Sequence, residues 1–147
     1  MIEYRKGDLL DVSSGVIIHG CNSHGVMGSG VALALKNKYP ACFEIYRMSC
    51  DERKNDETLL GDSIIYVASD TLEIANMITQ KDFGTQKRQV NYGAVAEGFS
   101  ILHDNYDLDR EFNFPKIGAG LGGGDWEVIS EIIEYVCPSR KLICWEL

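Results

Sequence analysis

Two glycine-rich segments, each preceded by an apolar run and followed by a helix-like one, constrain the fold of this chain more than any other feature. The first occupies residues 17–30 and reads IIHGCNSHGVMGSG, and the second occupies residues 116–126 and reads KIGAGLGGGDW. Glycine lets the backbone approach a ligand closely, and the start of a helix offers unpaired N–H groups to an anion. One such loop is also explained by a tight turn or a helix cap. Two together favour a site for a pyrophosphate, which needs hydrogen-bond donors on two sides.

Strand-like runs alternate with helix-like segments along the chain. Strands are predicted at residues 1–4, 16–21, 63–67, 72–78, 111–117 and 141–145. Helices are predicted at residues 27–39, 42–50, 90–102 and 125–136. The alternation predicts an α/β sandwich, and the strand pair at 63–67 and 72–78 makes its sheet mixed. The chain shows no internal repeat and no linker, so we predict one domain over residues 1–147.

The net charge limits the partners that the surface can bind. The chain has 14 Lys and Arg against 22 Asp and Glu, a formal charge of −8. A surface of this sign repels a polyphosphate backbone, so we expect no broad nucleic-acid-binding face. A small anionic ligand stays compatible with it, because backbone N–H groups bind phosphate without a net positive charge.

The N-terminus and the apolar runs bear on location. The first ten residues, MIEYRKGDLL, are polar and charged where a signal peptide needs an apolar stretch. No apolar run approaches the roughly 20 residues that span a bilayer. We therefore expect a cytoplasmic protein without a membrane partner.

The five cysteines favour buried, reduced thiols. Their number is odd, no two of them form a CxxC pair, and none stands at zinc-ligand spacing from a histidine. We therefore predict no metal site. A nucleophilic Cys21 beside His19 is the open alternative, but a reactive thiol needs more than a histidine close to it in the sequence.

Taken in order, four stretches give the chain a family resemblance that covers nearly its whole length. They are KGDLL, IIHGCNSHGVMGSGVALALKNKYP, NMITQKDFG and KIGAGLGGGDW. The chain resembles the macrodomain family, and within it the small ADP-ribose 1''-phosphatases. It is also similar to macrodomains that remove ADP-ribose from DNA or from protein glutamates. The resemblance implies a three-layer α/β/α sandwich with a central mixed sheet. It implies ADP-ribose or ADP-ribose 1''-phosphate as ligand, and no cofactor.

The resemblance also implies ligand-binding roles for individual residues. Asp8 would accept a hydrogen bond from the adenine amino group, and Leu9 would lie beside the ring. Asn22 would contact the distal ribose. The residues that would line the distal ribose and phosphate are Gly28, Ser29 and Gly30. Those that would wrap the diphosphate through backbone N–H groups are Gly118, Ala119, Gly120, Leu121, Gly122, Gly123 and Gly124.

His19 and Asp125 are the candidate acid–base pair. Histidine titrates nearest neutral pH and relays protons readily, and a helix N-terminus at Asp125 would keep that carboxylate ionised. Both residues have a purely structural alternative. His19 lies inside an apolar run, where it can be a hydrogen-bonded core residue, and Asp125 can be an N-cap.

One departure from the family pattern concerns a lysine. The macrodomains that hydrolyse the ADP-ribosyl bond use a lysine directly after an Ile-Thr step to form a covalent intermediate. Here Gln80 follows Thr79, and Lys81 comes one residue later. In a strand, a shift by one residue reverses the direction of the side chain, although a shifted loop could still present Lys81 to the site. This departure favours hydrolysis of a phosphate monoester, or plain binding, over the lysine mechanism.

Three functions therefore stay open. The first is hydrolysis of ADP-ribose 1''-phosphate to ADP-ribose and phosphate. The second is removal of ADP-ribose from a modified protein or DNA, which would make an ADP-ribosylated macromolecule the partner. The third is a non-catalytic reader of ADP-ribose, which uses the same pocket without any acid–base chemistry.

Overall fold

The computed structural model describes residues 1–28, 30–54, 59–81, 90–120 and 122–147. Its strands are β1 (Ile2–Lys6), β2 (Gly15–Asn22), β3 (Ser63–Val67), β4 (Leu72–Gln80), β5 (Phe112–Phe114) and β6 (Leu142–Glu146). Its helices are α1 (Gly30–Lys38), α2 (Pro40–Glu52), α3 (Tyr92–Asn105) and α4 (Trp126–Val136), and a short 3-10 turn spans Leu9–Asp11. Strands and helices thus alternate as the sequence predicts.

The six strands form one mixed sheet in the order β1-β6-β5-β2-β4-β3. All neighbours run parallel except β3 and β4, which form the antiparallel pair predicted from the sequence. The carboxyl ends of β2, β4 and β5 consequently lie side by side at one edge of the sheet. In open α/β sheets, that edge is where ligands bind.

Successive residues of β2 supply both layers of the core. Ile17 packs with Leu35 of α1 and Cys42 of α2 on one face of the sheet. Ile18 packs with Phe99 of α3 and Ile129 of α4 on the other. Both isoleucines are fully buried, as expected of a central strand covered on both faces. The predicted three-layer α/β/α sandwich with a mixed central sheet is confirmed.

Two predicted boundaries change where the chain approaches the glycine loops. The predicted strand 111–117 is only three residues long, because Pro115 has no N–H to donate to the ladder. The predicted strand 72–78 continues to Gln80, with an irregularity in its pairing to β2 between Cys21 and Asn22. Because β5 is short, residues 115–117 turn into the second glycine segment. Because β4 is longer than predicted, it extends towards the first glycine segment.

The prediction that one helix spans 27–39 and stops at Pro40 is half right. The helix begins at Gly30, and Met27 is instead a buried loop residue. It ends at Lys38, but Pro40 then opens α2, a position where its missing N–H costs nothing. α2 runs to Glu52, so it takes in the first two residues of the charged run 51–57 that the sequence predicts as a loop. Residues 55–57 of that run lie outside the described residues.

All five cysteines are buried and none of them forms a disulfide, so the predicted burial of the thiols is confirmed. Burial raises the pKa of each of them, so none is a thiolate near neutral pH. This environment argues against a nucleophilic role for Cys21. In the described part of the chain, no helix is both long and apolar enough to cross a membrane.

Candidate functional site

A cavity of about 630 Å³ opens at the carboxyl ends of β2, β4 and β5, beside the start of α1. Seven residues predicted from the sequence line it, namely His19, Asn22, Gly28, Gly30, Gly118, Gly120 and Gly122. The structure thus brings both glycine segments to one site. Ser29 and Leu121, which were also predicted to bind ligand, lie outside the described residues.

The second glycine loop (residues 118–124) is held in shape by its own backbone. Gly124 N–H donates to Gly118 O at 2.7 Å, and Val90 N–H donates to Gly122 O at 3.1 Å. Gly118 has a φ of +75°, and a Cβ there would lie 2.6 Å from the Val90 side chain. Only glycine satisfies both constraints, so this position is fixed by the fold itself.

Three N–H groups of the second glycine loop are left for a ligand. Within the described ranges, no hydrogen bond is formed by the backbone N–H of Gly118, Gly120 or Gly122, and all three residues line the cavity. Ala119, Gly123 and Gly124 donate their N–H groups to carbonyls of residues 116–120 and are not among the lining residues. Unpaired donors around a concave site suit an anion such as a phosphate.

The first glycine loop (residues 22–30) is organised by Asn22. Its Oδ1 accepts from His24 N–H at 2.9 Å and from Tyr46 OH at 3.1 Å, and its Nδ2 donates to Val26 O at 2.8 Å. Asn22 borders the cavity, but it is only 7% exposed. The predicted contact with a distal ribose stays a prediction, since these bonds already occupy much of the amide.

His19 is a cavity-lining residue that is 1% exposed. Its Nε2 lies 2.6 Å from Asn76 Oδ1, and the Cys21 Sγ lies 3.5 Å from the same nitrogen. Burial lowers the pKa of His19 to about 4, against the opposing effect of the bond to Asn76. The imidazole is therefore neutral at pH 7, and it is a weak base with no proton to spare as an acid. These features match the structural alternative for His19, a hydrogen-bonded histidine of the core.

Asp125 occupies the N-cap of α4. Its carboxylate accepts from Glu127 N–H at 2.9 Å, and its own N–H donates to Tyr92 OH at 3.0 Å. The residue is exposed and is not among those that line the cavity. The structure therefore does not bring Asp125 together with His19 around the cavity, and the acid–base pair stays a prediction without support from geometry.

Asp8 and Leu9 lie beyond the cavity lining, at the turn after β1. Asp8 is exposed and caps the 3-10 turn by accepting from Leu10 N–H at 2.9 Å. Leu9 is buried against Ile17 and Leu35 beneath α1. Their predicted contacts with adenine also stay predictions. Only Asp8 presents its side chain to solvent.

Gln80 and Lys81 occupy different environments at the end of β4. Gln80 lines the cavity, and a Cβ on Gly122 would lie 3.2 Å from its Oε1. Lys81 is exposed and is not a lining residue, and its carbonyl accepts from Ser23 Oγ at 2.9 Å. Of these two residues, the glutamine and not the lysine thus lines the cavity.

Ten further lining residues were not among the predicted ligand-binding or acid–base residues, although Cys21 was weighed as a nucleophile and Gln80 was compared with the lysine of related macrodomains. They are Gly20, Cys21, Val26, Val31, Ala32, Thr79, Gln80, Pro115, Lys116 and Ile117. Lys116 carries the one positive charge among the described lining residues, and it pairs with Glu146 at 2.8 Å. That salt bridge raises the pKa of Lys116. A signal for it was present, because Lys116 directly precedes the second glycine segment.

The described residues were also compared with the ligand sets that bind metal ions. Among the described side chains, no group of three or more His, Cys, Asp or Glu is placed to hold a metal ion. The polar groups that line the cavity include backbone N–H groups, Asn22, Thr79, Gln80, Lys116 and a neutral histidine.

Known proteins with similar sequences include two kinds of enzyme. The chain is 31% identical over 162 aligned positions to an ADP-ribose 1''-phosphate phosphatase of Scheffersomyces stipitis, covering 91% of this chain and 94% of that protein. It is 32% identical over 136 positions to a DNA ADP-ribosyl glycohydrolase of Mycobacterium tuberculosis. The latter match covers 89% of this chain but only 37% of the mycobacterial protein.

Solved structures agree with these sequence matches. The macrodomain of Mycobacterium tuberculosis DarG superposes with a TM-score of 0.82 at 25% identity, over 100% of this chain and 98% of that one. The Macro domain family profile matches residues 18–133, which include residues 18–22 of β2, both glycine loops and most of α4. The sequence resemblance is confirmed, and the chain belongs to the Macro domain family.

Proposed function

We propose that this chain binds ADP-ribose and hydrolyses ADP-ribose 1''-phosphate to ADP-ribose and phosphate. The observation that carries the proposal is the cavity between two glycine loops, lined by Gly118, Gly120 and Gly122, whose backbone N–H groups form no hydrogen bond within the described ranges. A diphosphate needs such donors, and Lys116 adds a positive charge at the rim of an otherwise acidic protein.

The proposed reaction is attack of water on the terminal phosphorus, with cleavage of the bond between phosphorus and the ribose oxygen. The ribose oxygen leaves and takes up a proton, and inorganic phosphate departs. The protein's contribution would be positioning and charge stabilisation, because N–H groups aimed at the phosphoryl oxygens act strongly in a cleft. The neutral His19 is proposed only as an acceptor for a proton of the water.

The relatives support this reaction over most of the chain's length. Two fungal ADP-ribose 1''-phosphate phosphatases, of Candida albicans and Scheffersomyces stipitis, are 29% and 31% identical to it. The chain covers 88% and 94% of their lengths. A hydrolase acting on an ADP-ribose derivative is the function common to these two relatives and the mycobacterial one.

A second candidate is removal of ADP-ribose from DNA or protein. The observation in its favour is the 32% identity to the mycobacterial DNA ADP-ribosyl glycohydrolase. A covalent lysine route is disfavoured, because Gln80 rather than Lys81 lines the cavity. The net charge of −8 also disfavours a broad contact with DNA beyond the modified nucleotide.

The experiment that separates these functions compares three substrates. The protein is incubated with ADP-ribose 1''-phosphate, with ADP-ribosylated protein and with ADP-ribosylated DNA, and the release of phosphate and of ADP-ribose is followed. We expect phosphate release from the first substrate alone. Release of ADP-ribose from a modified macromolecule would establish the second candidate instead. Tight binding of ADP-ribose without any turnover would make the protein a reader.

A further inference from the structure

Tyr46 is a fully buried tyrosine of α2 whose hydroxyl reaches the end of β2. The hydroxyl lies 2.6 Å from the backbone carbonyl of Asn22 and 3.1 Å from its Oδ1. Burial raises the pKa of Tyr46 further above its usual value, so the phenol keeps its proton at every pH of interest. Tyr46 is therefore a permanent hydrogen-bond donor to a residue of the candidate site.

Asn22 passes this restraint on to the turn that follows it. The same Oδ1 accepts from His24 N–H at 2.9 Å, and Nδ2 donates to Val26 O at 2.8 Å. A side chain that bonds to backbone groups two and four residues ahead closes a local turn. The orientation of the Asn22 amide and the course of residues 22–26 are consequently coupled.

The first glycine loop also packs closely against α2. A Cβ on Gly25 would lie 3.5 Å from the Arg47 Cα and 3.5 Å from the Cys50 Cβ, and Gly25 has a φ of +79°. Met27 is buried in one cluster with Tyr46 and Cys50. Gly25 and Met27 of this loop thus pack against α2, whereas Val26 and Gly28 line the cavity.

We propose that Tyr46 is a positioning residue for the ligand cavity, acting through Asn22 to hold the first glycine loop in its ligand-ready shape. Tyr46 itself is not among the lining residues, so it acts without touching the ligand. The inference rests on the proposed function for the identity of the ligand, ADP-ribose. Removing the hydroxyl should release the backbone carbonyl of Asn22, its nearer acceptor at 2.6 Å, together with the amide oxygen at 3.1 Å. Residues 22–28 could then move, which weakens binding because the ligand must order them.

The test compares Tyr46→Phe with Tyr39→Phe and with wild type. Tyr39 stands at the start of the same helix and packs on Tyr66, away from the cavity lining, so it controls for loss of a tyrosine hydroxyl. The measurements are the ADP-ribose dissociation constant, taken well below the melting temperature, and amide hydrogen exchange of the ligand-free proteins. A double-mutant cycle with Asn22→Ser tests whether the two residues act together.

In Tyr46→Phe we expect a dissociation constant roughly tenfold larger, the equivalent of one net hydrogen bond. Exchange should accelerate at the His24 and Val26 amides but not at Ile74 and Met77 of β4. Tyr39→Phe should match wild type, and the effects of Tyr46→Phe and Asn22→Ser should not add.

Three results would overturn the proposal. They are unchanged affinity in Tyr46→Phe, unchanged exchange at His24 and Val26, and simple additivity with Asn22→Ser. A wild-type protein that does not bind ADP-ribose would remove the proposed function instead. In that case the exchange data would still decide whether Tyr46 holds the loop.

Discussion

The imidazole of His19 on β2 and the amide oxygen of Asn76 on the neighbouring strand β4 are joined by a hydrogen bond of 2.6 Å. Asn76 Nδ2 donates to the carbonyl of Ile64 at 3.0 Å, which turns Oδ1 towards the histidine. His19 Nε2 must therefore carry the proton, and Nδ1, which lies 3.7 Å from the Cys21 Sγ, is the acceptor nitrogen of the neutral ring. His19, one of the two residues predicted to act in catalysis, thus also links two neighbouring strands.

Acid should destabilise the protein through His19. Its pKa is about 4 in the folded state and 6.5 without the fold, so between these values the unfolded chain binds a proton that the folded chain refuses. The contribution of a neutral His19 to the free energy of unfolding is complete above pH 6.5 and is lost as the pH decreases towards 4. We expect wild type to lose about 2 kcal/mol between pH 7 and pH 5 beyond the loss of His19→Gln, measured by urea unfolding. Equal losses in the two proteins would contradict the lowered pKa.

Gly120 is the position at which the second glycine loop can be tested without breaking it. A Cβ there meets no atom within 4 Å, whereas a Cβ on Gly122 would lie 2.7 Å from the carbonyl of Gly118. Gly120→Glu should fold normally and abolish binding of ADP-ribose, because its carboxylate would face the diphosphate. Gly120→Gln is the matched control and should bind more tightly than the glutamate variant. Normal affinity of Gly120→Glu would remove this loop from the site.

Asp125 can be tested by separating its charge from its cap. Asparagine caps a helix as well as aspartate, whereas alanine loses about 1 kcal/mol of stability. Because the carboxylate bonds to Glu127 N–H outside the cavity lining, we expect Asp125→Asn to keep both stability and turnover of ADP-ribose 1''-phosphate. Asp125→Ala should lower only stability. A fall in turnover of about 10²-fold or more in Asp125→Asn would restore the predicted acid–base role.

Asp8 offers a clean test of the predicted adenine contact. Asp8→Ala should weaken binding of ADP-ribose by about 1–3 kcal/mol, the cost of a hydrogen bond to a charged group. Asp11→Ala is the matched control, since Asp11 lies in the same 3-10 turn and has no predicted contact. Calorimetric titration of both variants gives the comparison. Equal affinity in the two would mean that the KGDLL stretch does not bind the ligand.

Hydrophobic periodicity was enough to predict alternating strands and helices and an α/β sandwich with a mixed sheet, whereas the three layers were implied by the family resemblance. The apolar runs of β2 and β4 and the spaced apolar residues of α4 each mark an element that the core must bury. Errors arose at the ends of elements, where single residues decide. Pro115 ends β5 through its missing N–H, a signal that was legible in the sequence. The extension of β4 to Gln80 was not legible, because it depends on pairing with β2.

The glycine loops of the site were predictable, but the supports behind them were not. A glycine-rich pattern can be recognised within a short stretch of sequence, and both loops line the cavity. The partners of His19 and Asn22 are Asn76 and Tyr46, 57 and 24 residues away in the chain. Such contacts follow from how α2 and β4 pack against β2. In the sequence, Tyr46 is merely one apolar residue of a helix.

Calorimetric titration of the wild-type protein with ADP-ribose tests most directly whether the cavity between the glycine loops is an ADP-ribose site. We predict saturable binding of one ligand per chain, with a dissociation constant below about 1 mM, which corresponds to roughly −4 kcal/mol. Bound ligand should also raise the melting temperature, because it stabilises only the folded state. No heat and no shift in melting temperature at millimolar ADP-ribose would contradict the account.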